Sequence, residues 1–484
     1  MSRILLTGGR IIDPASGRDE PGDLVIDSGR IAAIGPAGAR AATNTRRASS
    51  AANLPPAEHA APADRIIDCR GLVVAPGLID LHVHLREPPP ASHDAVAGVP
   101  RSAFRVPRSE DLPETIASGA AAAVAGGFTA VCAMPNTQPP IDSAEAVAWY
   151  AARARQAGLA RVHVIGCMTQ GRSGRAPADL AAMRAAGAAL FSDDGSDVAD
   201  PAVFEAVLAG AARLGVAVSC HCEDAVLAAG GVINDGPLAT ALGLPGIPPE
   251  SEEIAVLRAC DAAARTGCRV HIAHVSTAGA VEIIRRAKAA GLPVTAEATP
   301  HHLTLIEEAL ASRDTVFKVN PPLRSGHDVD AVLAGVRDGT IDCLATDHAP
   351  HTAAAKARGL VGAPPGMIGL ESALPVYIRA LIEPGILTWP QLLARLTLNP
   401  ARVLGLPAAG APASGGTAHL CGAGALAVGA AADVTVIDTD VAWTIDPARF
   451  ASRARNCPFS GWQGRGRAVM TIVAGRVAYD VMTC

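Results

Sequence analysis

The sequence predicts an α/β protein: a (β/α)8 TIM-like barrel carrying a small β domain built from the N- and C-terminal strands. Three observations predict it. Between residues 73 and 406, apolar strand-like runs alternate with amphipathic helical segments, and the runs number eight. Short strands broken by turns fill the first 35 residues and recur at the C-terminal end. A chain of 484 residues also has room for a barrel of about 250 residues and a second unit.

In chain order, ILLTGG, RIIDP, DLVID and GRIAAIG read as strands. Residues 36–64 have few large apolar side chains and many Ala, Pro, Ser and Arg, which predicts a flexible surface insertion. Residues 1–72 then form the first part of the small domain. The eight barrel runs are VVAPGLIDLHV (73–83), 128–134, 161–167, 188–193, 216–222, 269–275, 293–299 and 341–347. Between them lie segments such as SAEAVAWYAARARQAG, VFEAVLAGAARLG, EEIAVLRACDAAARTG and AVEIIRRAKAAG. Each has apolar spacing near 3.6 and stops at Gly. Residues 407–484 begin with an Ala/Gly/Pro-rich linker (407–424) and return to strands in ADVTVIDTDVAWTI and RAVMTIVAGRVAYD.

Composition excludes several function classes. Lys+Arg total 41 against 46 Asp+Glu, and aromatics are 3%, so neither a basic nor a base-stacking surface for nucleic acid is expected. Every apolar stretch is broken by Gly, Pro or charge before membrane-spanning length. The start, MSRILLTGGRIIDP, has no charged region leading into an apolar one, so a cytoplasmic protein is expected. The 11 cysteines include no C-x-x-C pair and read as buried free thiols.

The 14 histidines carry the strongest functional signal. His82 and His84 are two apart on a strand, so they share a face with Asp80 and Arg86. His221 falls near the end of the fifth run, His274 of the sixth and Asp347 of the eighth, while Asp193 and Asp194 end the fourth. In a barrel, these C-terminal strand ends open on one mouth. Imidazole with carboxylate suits a divalent metal, most often zinc, and six ligands exceed one tetrahedral ion. A binuclear centre is the expectation.

The stretches DLHVHLREP (80–88), AMPNTQPP (133–140), FSDDG (191–195), HCED (221–224), HIAHVST (271–277), EATPHHL (297–303), VNPPLR (319–324) and DHAPH (347–351) resemble, in order, the motifs of the class I dihydroorotases of the amidohydrolase superfamily. The terminal strands resemble that family's small β-sandwich. The resemblance implies zinc-dependent, reversible hydrolysis of the cyclic amide of dihydroorotate to N-carbamoyl-L-aspartate, a step of pyrimidine biosynthesis. It places His82 and His84 on one Zn2+ and His221 and His274 on a second, with Asp194 and a hydroxide bridging them; Asp193 is the alternative bridge. Related cyclic amidases often bridge with a carboxylated lysine, but the only lysines here, Lys288, Lys318 and Lys356, lie at no corresponding strand end.

Asp347, also a ligand, is implied as the proton shuttle. His84, Arg86, Asn136 and His351 are implied around the substrate carboxylate, with Asn320, Pro365 and Gly366 holding the ring. Arg86 pairing with Glu87, and Asn136 capping the helix that begins near Asp142, are the corresponding structural readings. Two departures stand out: an insertion at 89–113 beside the mouth, and a loop after His351 poor in charged and aromatic residues. A homo-oligomer and a complex with aspartate carbamoyltransferase are the expected partners. The competing functions are an allantoinase or hydantoinase, and a non-catalytic subunit of such a transferase complex.

Overall fold

The computed structural model describes residues 3–37, 63–89, 111–407 and 422–482. The insertions expected at 36–64 and 89–113, and the linker at 407–424, lie largely outside the described residues. The barrel strands are β1 Leu78–Val83, β2 Phe128–Ala133, β3 Arg161–Gly166, β4 Leu190–Phe191, β5 Val218–Cys220, β6 Val270–Ile272, β7 Val294–Ala298 and β8 Cys343–Leu344. Consecutive strands are neighbours, and every ladder is parallel. All of β1 and β2 is buried, as strands covered by helices on one side and packed on the other must be.

The seam between β8 and β1 closes by other means than a ladder. Val83 bridges His348, and the His84 N–H donates to the His348 carbonyl at 2.8 Å. The buried Asp80 carboxylate accepts the Thr346 N–H at 3.1 Å and its hydroxyl at 2.6 Å, standing in for absent backbone bonds.

Helices follow the strands as the apolar period predicts. Ser143, Asp200, Thr277 and Ser325 accept first-turn N–H groups at the starts of Ala144–Ala157, Pro201–Arg213, Ala278–Ala289 and Gly326–Asp338. Their inner faces (Val147, Tyr150, Phe204, Val207, Val281, Ile284) pack with strand residues such as Val131, Val164 and Ile272 in the main core. The nine described cysteines are buried and free. No described helix is long and apolar enough to cross a membrane.

Strands from both ends of the chain meet in one sheet and build the small β-sandwich. Its order is Arg476–Asp480, Gln463–Val473, Val434–Thr444, Val73–Pro76, Ile4–Asp13, Arg18–Asp27 and Arg30–Pro36, with Arg65–Asp68 beside Ile4–Asp13. A register shift between Leu6 and Gly9 lets one strand pair with Arg65–Asp68 early and Val73–Val74 late. Its core of Ile4, Leu6, Leu24, Ile26, Val434, Met470 and Ile472 is separate from that of the barrel.

The run read as one strand over 73–83 is two strands. Val73–Pro76 pairs antiparallel with Val434–Ile437, and only Leu78–Val83 enters the barrel. The residue between them is Gly77, and a Cβ there would lie 2.1 Å from Thr129 Oγ1 on β2. After Val434–Thr444 the chain leaves this sheet and returns over the barrel mouth, where Phe450, Cys457 and Phe459 pack against Leu305, Met367 and Ile368.

Candidate metal centre and active site

The ends of β1, β4, β5, β6 and β8 bring His82, His84, Asp194, His221, His274 and Asp347 together, and all six are buried. His82 Nδ1 lies 2.8 Å from Glu297 Oε1, a carboxylate that only accepts, so Nδ1 donates. That orientation turns His82 Nε2 toward Asp194 Oδ1 at 3.2 Å and Asp347 Oδ1 at 3.5 Å. His84 Nδ1 meets Asn136 Oδ1 at 2.8 Å, leaving its Nε2 3.1 Å from Asp347 and 3.5 Å from Asp194. His221 Nδ1 and His274 Nε2 are 2.9 Å apart and lie 3.8 and 3.7 Å from Asp194 Oδ1.

These atoms form two adjoining clusters able to hold a cation, His82–Asp194–His274 and His82–His84–Asp347, with His221 against the first. The donors fit a metal. His82 Nε2 and Asp194 Oδ1 are buried without hydrogen-bond partners, an arrangement that costs free energy unless a cation completes it. The charges agree. Burial lowers the pKa of His82, but Asp194 and Asp347 override it and raise that pKa well above the usual value. Burial likewise raises the Asp194 carboxyl, yet His82, His274 and His84 hold it well below the ordinary range. The pocket calls for positive charge.

Asp193 and Asp194, indistinguishable by spacing, point to different places. Asp193 accepts the Met168 N–H at 2.8 Å, the Thr169 N–H at 3.2 Å and the Thr169 hydroxyl, and so holds the loop after β3. Asp194 is the one among the imidazoles. Backbone conformation aims three of the side chains: Arg86, His274 and Asp347 are left-handed, with φ of 55°, 33° and 47°. Such non-glycine positions cost about 1–3 kcal/mol each and persist only where the surroundings enforce them.

Arg86 reaches the Pro350 carbonyl at 3.3 Å and His351 Nε2 at 3.4 Å. It does not take Glu87 as partner; Glu87 binds Arg153 at 2.8 Å and caps the Ile116 N–H at 2.9 Å. Burial pushes the Arg86 guanidinium down to about 10, still charged at neutral pH. Burial, and then Arg86, push His351 down to about 3, so its imidazole is neutral. Because a carbonyl only accepts, His351 Nε2 is the donor to the Pro365 carbonyl at 2.8 Å.

Asn136 caps no helix, that role falling to Ser143. Its amide joins His84 to Asp194, donating to Asp194 Oδ2 at 3.2 Å. Asn320 Nδ2 is 3.4 Å from His221 Nε2, and its Oδ1 is buried without a partner. Gly366 gives its N–H to the Lys318 carbonyl. With φ of 129°, and a Cβ that would fall 3.0 Å from His351 Nε2, only glycine fits there.

Two functional residues escaped the sequence reading. Glu297 on β7 bonds His82 through one oxygen and His271 Nε2 through the other, the latter at 3.0 Å. Burial raises its carboxyl, but His271 and His82 hold it down at about 2. The available signal was a lone carboxylate inside an apolar barrel strand. Glu297→Gln is expected to weaken metal affinity by about 10–100-fold, read by chelator competition. His271, through that bond, orients Glu297. His301 and His302, which follow β7, are both buried, and His302 bonds Thr299 and the Pro321 carbonyl.

Residues 71–280 match the family model described as Dihydro-orotase-like. A dihydroorotase of Pelotomaculum thermopropionicum is 44% identical over 98% of this chain and 98% of its own. One of Anaeromyxobacter dehalogenans is 43% identical over 99% of each. Among solved structures, an L-hydantoinase (dihydropyrimidinase) from Arthrobacter aurescens superposes with a TM-score of 0.76 at 24% identity, covering 99% of this chain and 96% of its own. A D-hydantoinase (dihydropyrimidinase) from Thermus sp. gives 0.75 at 21% identity, covering 99% and 95%. These structural likenesses bear on the fold alone.

Proposed function

The chain belongs to the dihydroorotase family, and from that premise we propose that it interconverts L-dihydroorotate and N-carbamoyl-L-aspartate by hydrolysis and closure of the cyclic amide, in pyrimidine biosynthesis. The observation that carries this reading is the gathering of four imidazoles and two carboxylates beside a half-buried arginine. Zinc as the metal and two ions per chain belong to the same proposal, with His82, His84 and Asp347 at one position, His221 and His274 at the other, and Asp194 between the two. When bound, such ions lower the pKa of water from 15.7 to about 7 and polarise the carbonyl under attack.

The chain's own groups do the remaining work. Asp347, ionised at neutral pH, takes the proton of the attacking water at its carboxylate and returns it to the ring nitrogen that leaves. Asn136 and Glu297 fix the tautomers of His84 and His82, so that both Nε2 atoms face the reacting centre. Arg86 binds the substrate carboxylate, with His84, Asn136 and neutral His351 beside it, while Asn320 and the Pro365–Gly366 stretch bound the ring.

A carboxylated lysine has no candidate here. Lys288 binds Asp342 at 2.6 Å, and Lys318 and Lys356 donate to carbonyls of residues 361–366. Asp194 occupies the strand end instead. Self-assembly, or assembly with an aspartate carbamoyltransferase, is part of the same proposal.

The test is turnover of L-dihydroorotate by the full chain, with hydantoin and allantoin as competitors and with metal content and native mass measured on the same sample. Turnover of either competitor with none of dihydroorotate overturns the reading. Arg86→Lys is expected to lower kcat/KM for dihydroorotate by about 10²-fold, chiefly through KM, because a lysine cannot reproduce the planar two-point grip on a carboxylate.

A further inference from the structure

We propose that Asn456, in the segment that returns from the small domain, is a positioning residue that clamps together the two loops contacting the substrate. The inference rests on the reading of His351, Pro365 and Gly366 as substrate contacts. His351 and Ala349 belong to the turn after β8 that also carries Asp347; Gly366 belongs to the loop that follows. The two loops also meet directly, through the Ala349 N–H to the Met367 carbonyl at 2.8 Å, a bridge between His348 and Met367, and His351 Nε2 to the Pro365 carbonyl at 2.8 Å. A side chain from a distant segment adds a clamp across them.

The Asn456 side chain, which is 8% exposed, lies between them. Its Oδ1 accepts the His351 N–H at 3.2 Å. Its Nδ2 donates to the Ala349 and Gly366 carbonyls, both at 3.1 Å. Its own carbonyl accepts the Ile368 N–H at 3.0 Å. The junction thus offers one N–H donor and two carbonyl acceptors to the side chain. A primary amide of this length has one acceptor oxygen and two donor hydrogens to match. An aspartate would set carboxylate oxygens against carbonyls, and serine has a single donor.

The segment that presents Asn456 is itself held on both sides. Phe450, Ala454, Cys457 and Phe459 are buried with Met367 and Ile368. The Ser452 N–H donates to Glu371 at 3.0 Å, and its hydroxyl donates to Glu114 at 2.5 Å. The same Glu114 oxygen lies 3.3 Å from Nε2 of His348, the residue after Asp347. A side chain supported this way transmits position, and small misplacements of contacting groups cost about 10²-fold in rate.

The test uses the full chain with Asn456→Ala, Asn456→Asp, His351→Ala and the double variant Asn456→Ala/His351→Ala. Metal content, kcat and KM for dihydroorotate are measured on each. Both Asn456 variants are expected to keep the wild-type metal content and lose about 10–100-fold in kcat/KM, mostly through KM. In the His351→Ala background, Asn456→Ala should cost far less than it does alone, because it acts through that residue. Kinetics within twofold of wild type overturn the inference. So does a loss carried by metal content, or a loss fully additive with His351→Ala. A wild-type chain that does not turn over dihydroorotate overturns the functional reading as well, whereas an active wild type with an unaffected Asn456→Ala overturns this inference alone.

Discussion

Asp347→Asn is expected to lower kcat for ring opening by about 10²–10⁴-fold, the span that general acid–base transfer contributes. Asp347 Oδ1 lies 3.1 Å from His84 Nε2 and 3.5 Å from His82 Nε2, at the mouth end of β8. Burial by itself raises this carboxyl, but the charge of His82 and the bond to His84 outweigh it and hold it below the ordinary range. It is therefore an anion at neutral pH, able to accept a proton from water. An asparagine of nearly the same shape keeps one coordinating oxygen and loses the ability to carry that proton. The variant should stay folded and retain most of its metal, so kcat and metal content from one preparation separate the shuttle from the ligand. Turnover equal to wild type would remove Asp347 from the proton path.

Asp194→Ala is expected to bring activity to background and to weaken metal binding by more than the about 10–100-fold that loss of an outer partner such as Glu297 brings. Asp194 touches both clusters, with one oxygen 3.2 Å from His82 and the other 3.5 Å from His84. Glu297 cannot replace it, since it already binds His82 and His271. The adjacent variant is the control. Asp193→Ala removes the acceptor for two backbone N–H groups and a threonine hydroxyl, and should cost about 1–3 kcal/mol of stability while leaving metal content unchanged. Metal analysis and thermal unfolding of the pair check both statements. Loss of metal from Asp193→Ala with retention in Asp194→Ala would reverse the assignment of the two aspartates.

Much of the architecture was legible because a barrel strand needs only local information. Apolar runs of β-prone residues, separated by helices with a 3.6-residue period, specify the eight barrel strands, all of which form. The division of 73–83 has a non-local cause: its first part pairs with Val434–Ile437, far along the chain, and its second with the barrel strand Phe128–Ala133. His82 and His84 were legible because alternate residues of a strand share a face. Glu297 was not, since its value lies in partners on β1 and β6 that no spacing within β7 reveals.

The sequence by itself determined the kinds of groups available and the ends of the strands on which they sit. That is enough to call for a cation-binding barrel mouth, because side-chain chemistry and the two-residue period of a strand are local properties. Tertiary structure alone decided which of two neighbouring aspartates faces the imidazoles, which tautomers His82 and His84 adopt, and how Asn456 comes to lie beside His351. Each of those outcomes depends on hydrogen bonds between residues far apart in the chain. Such bonds exist only after the barrel has closed and the C-terminal segment has folded back across its mouth.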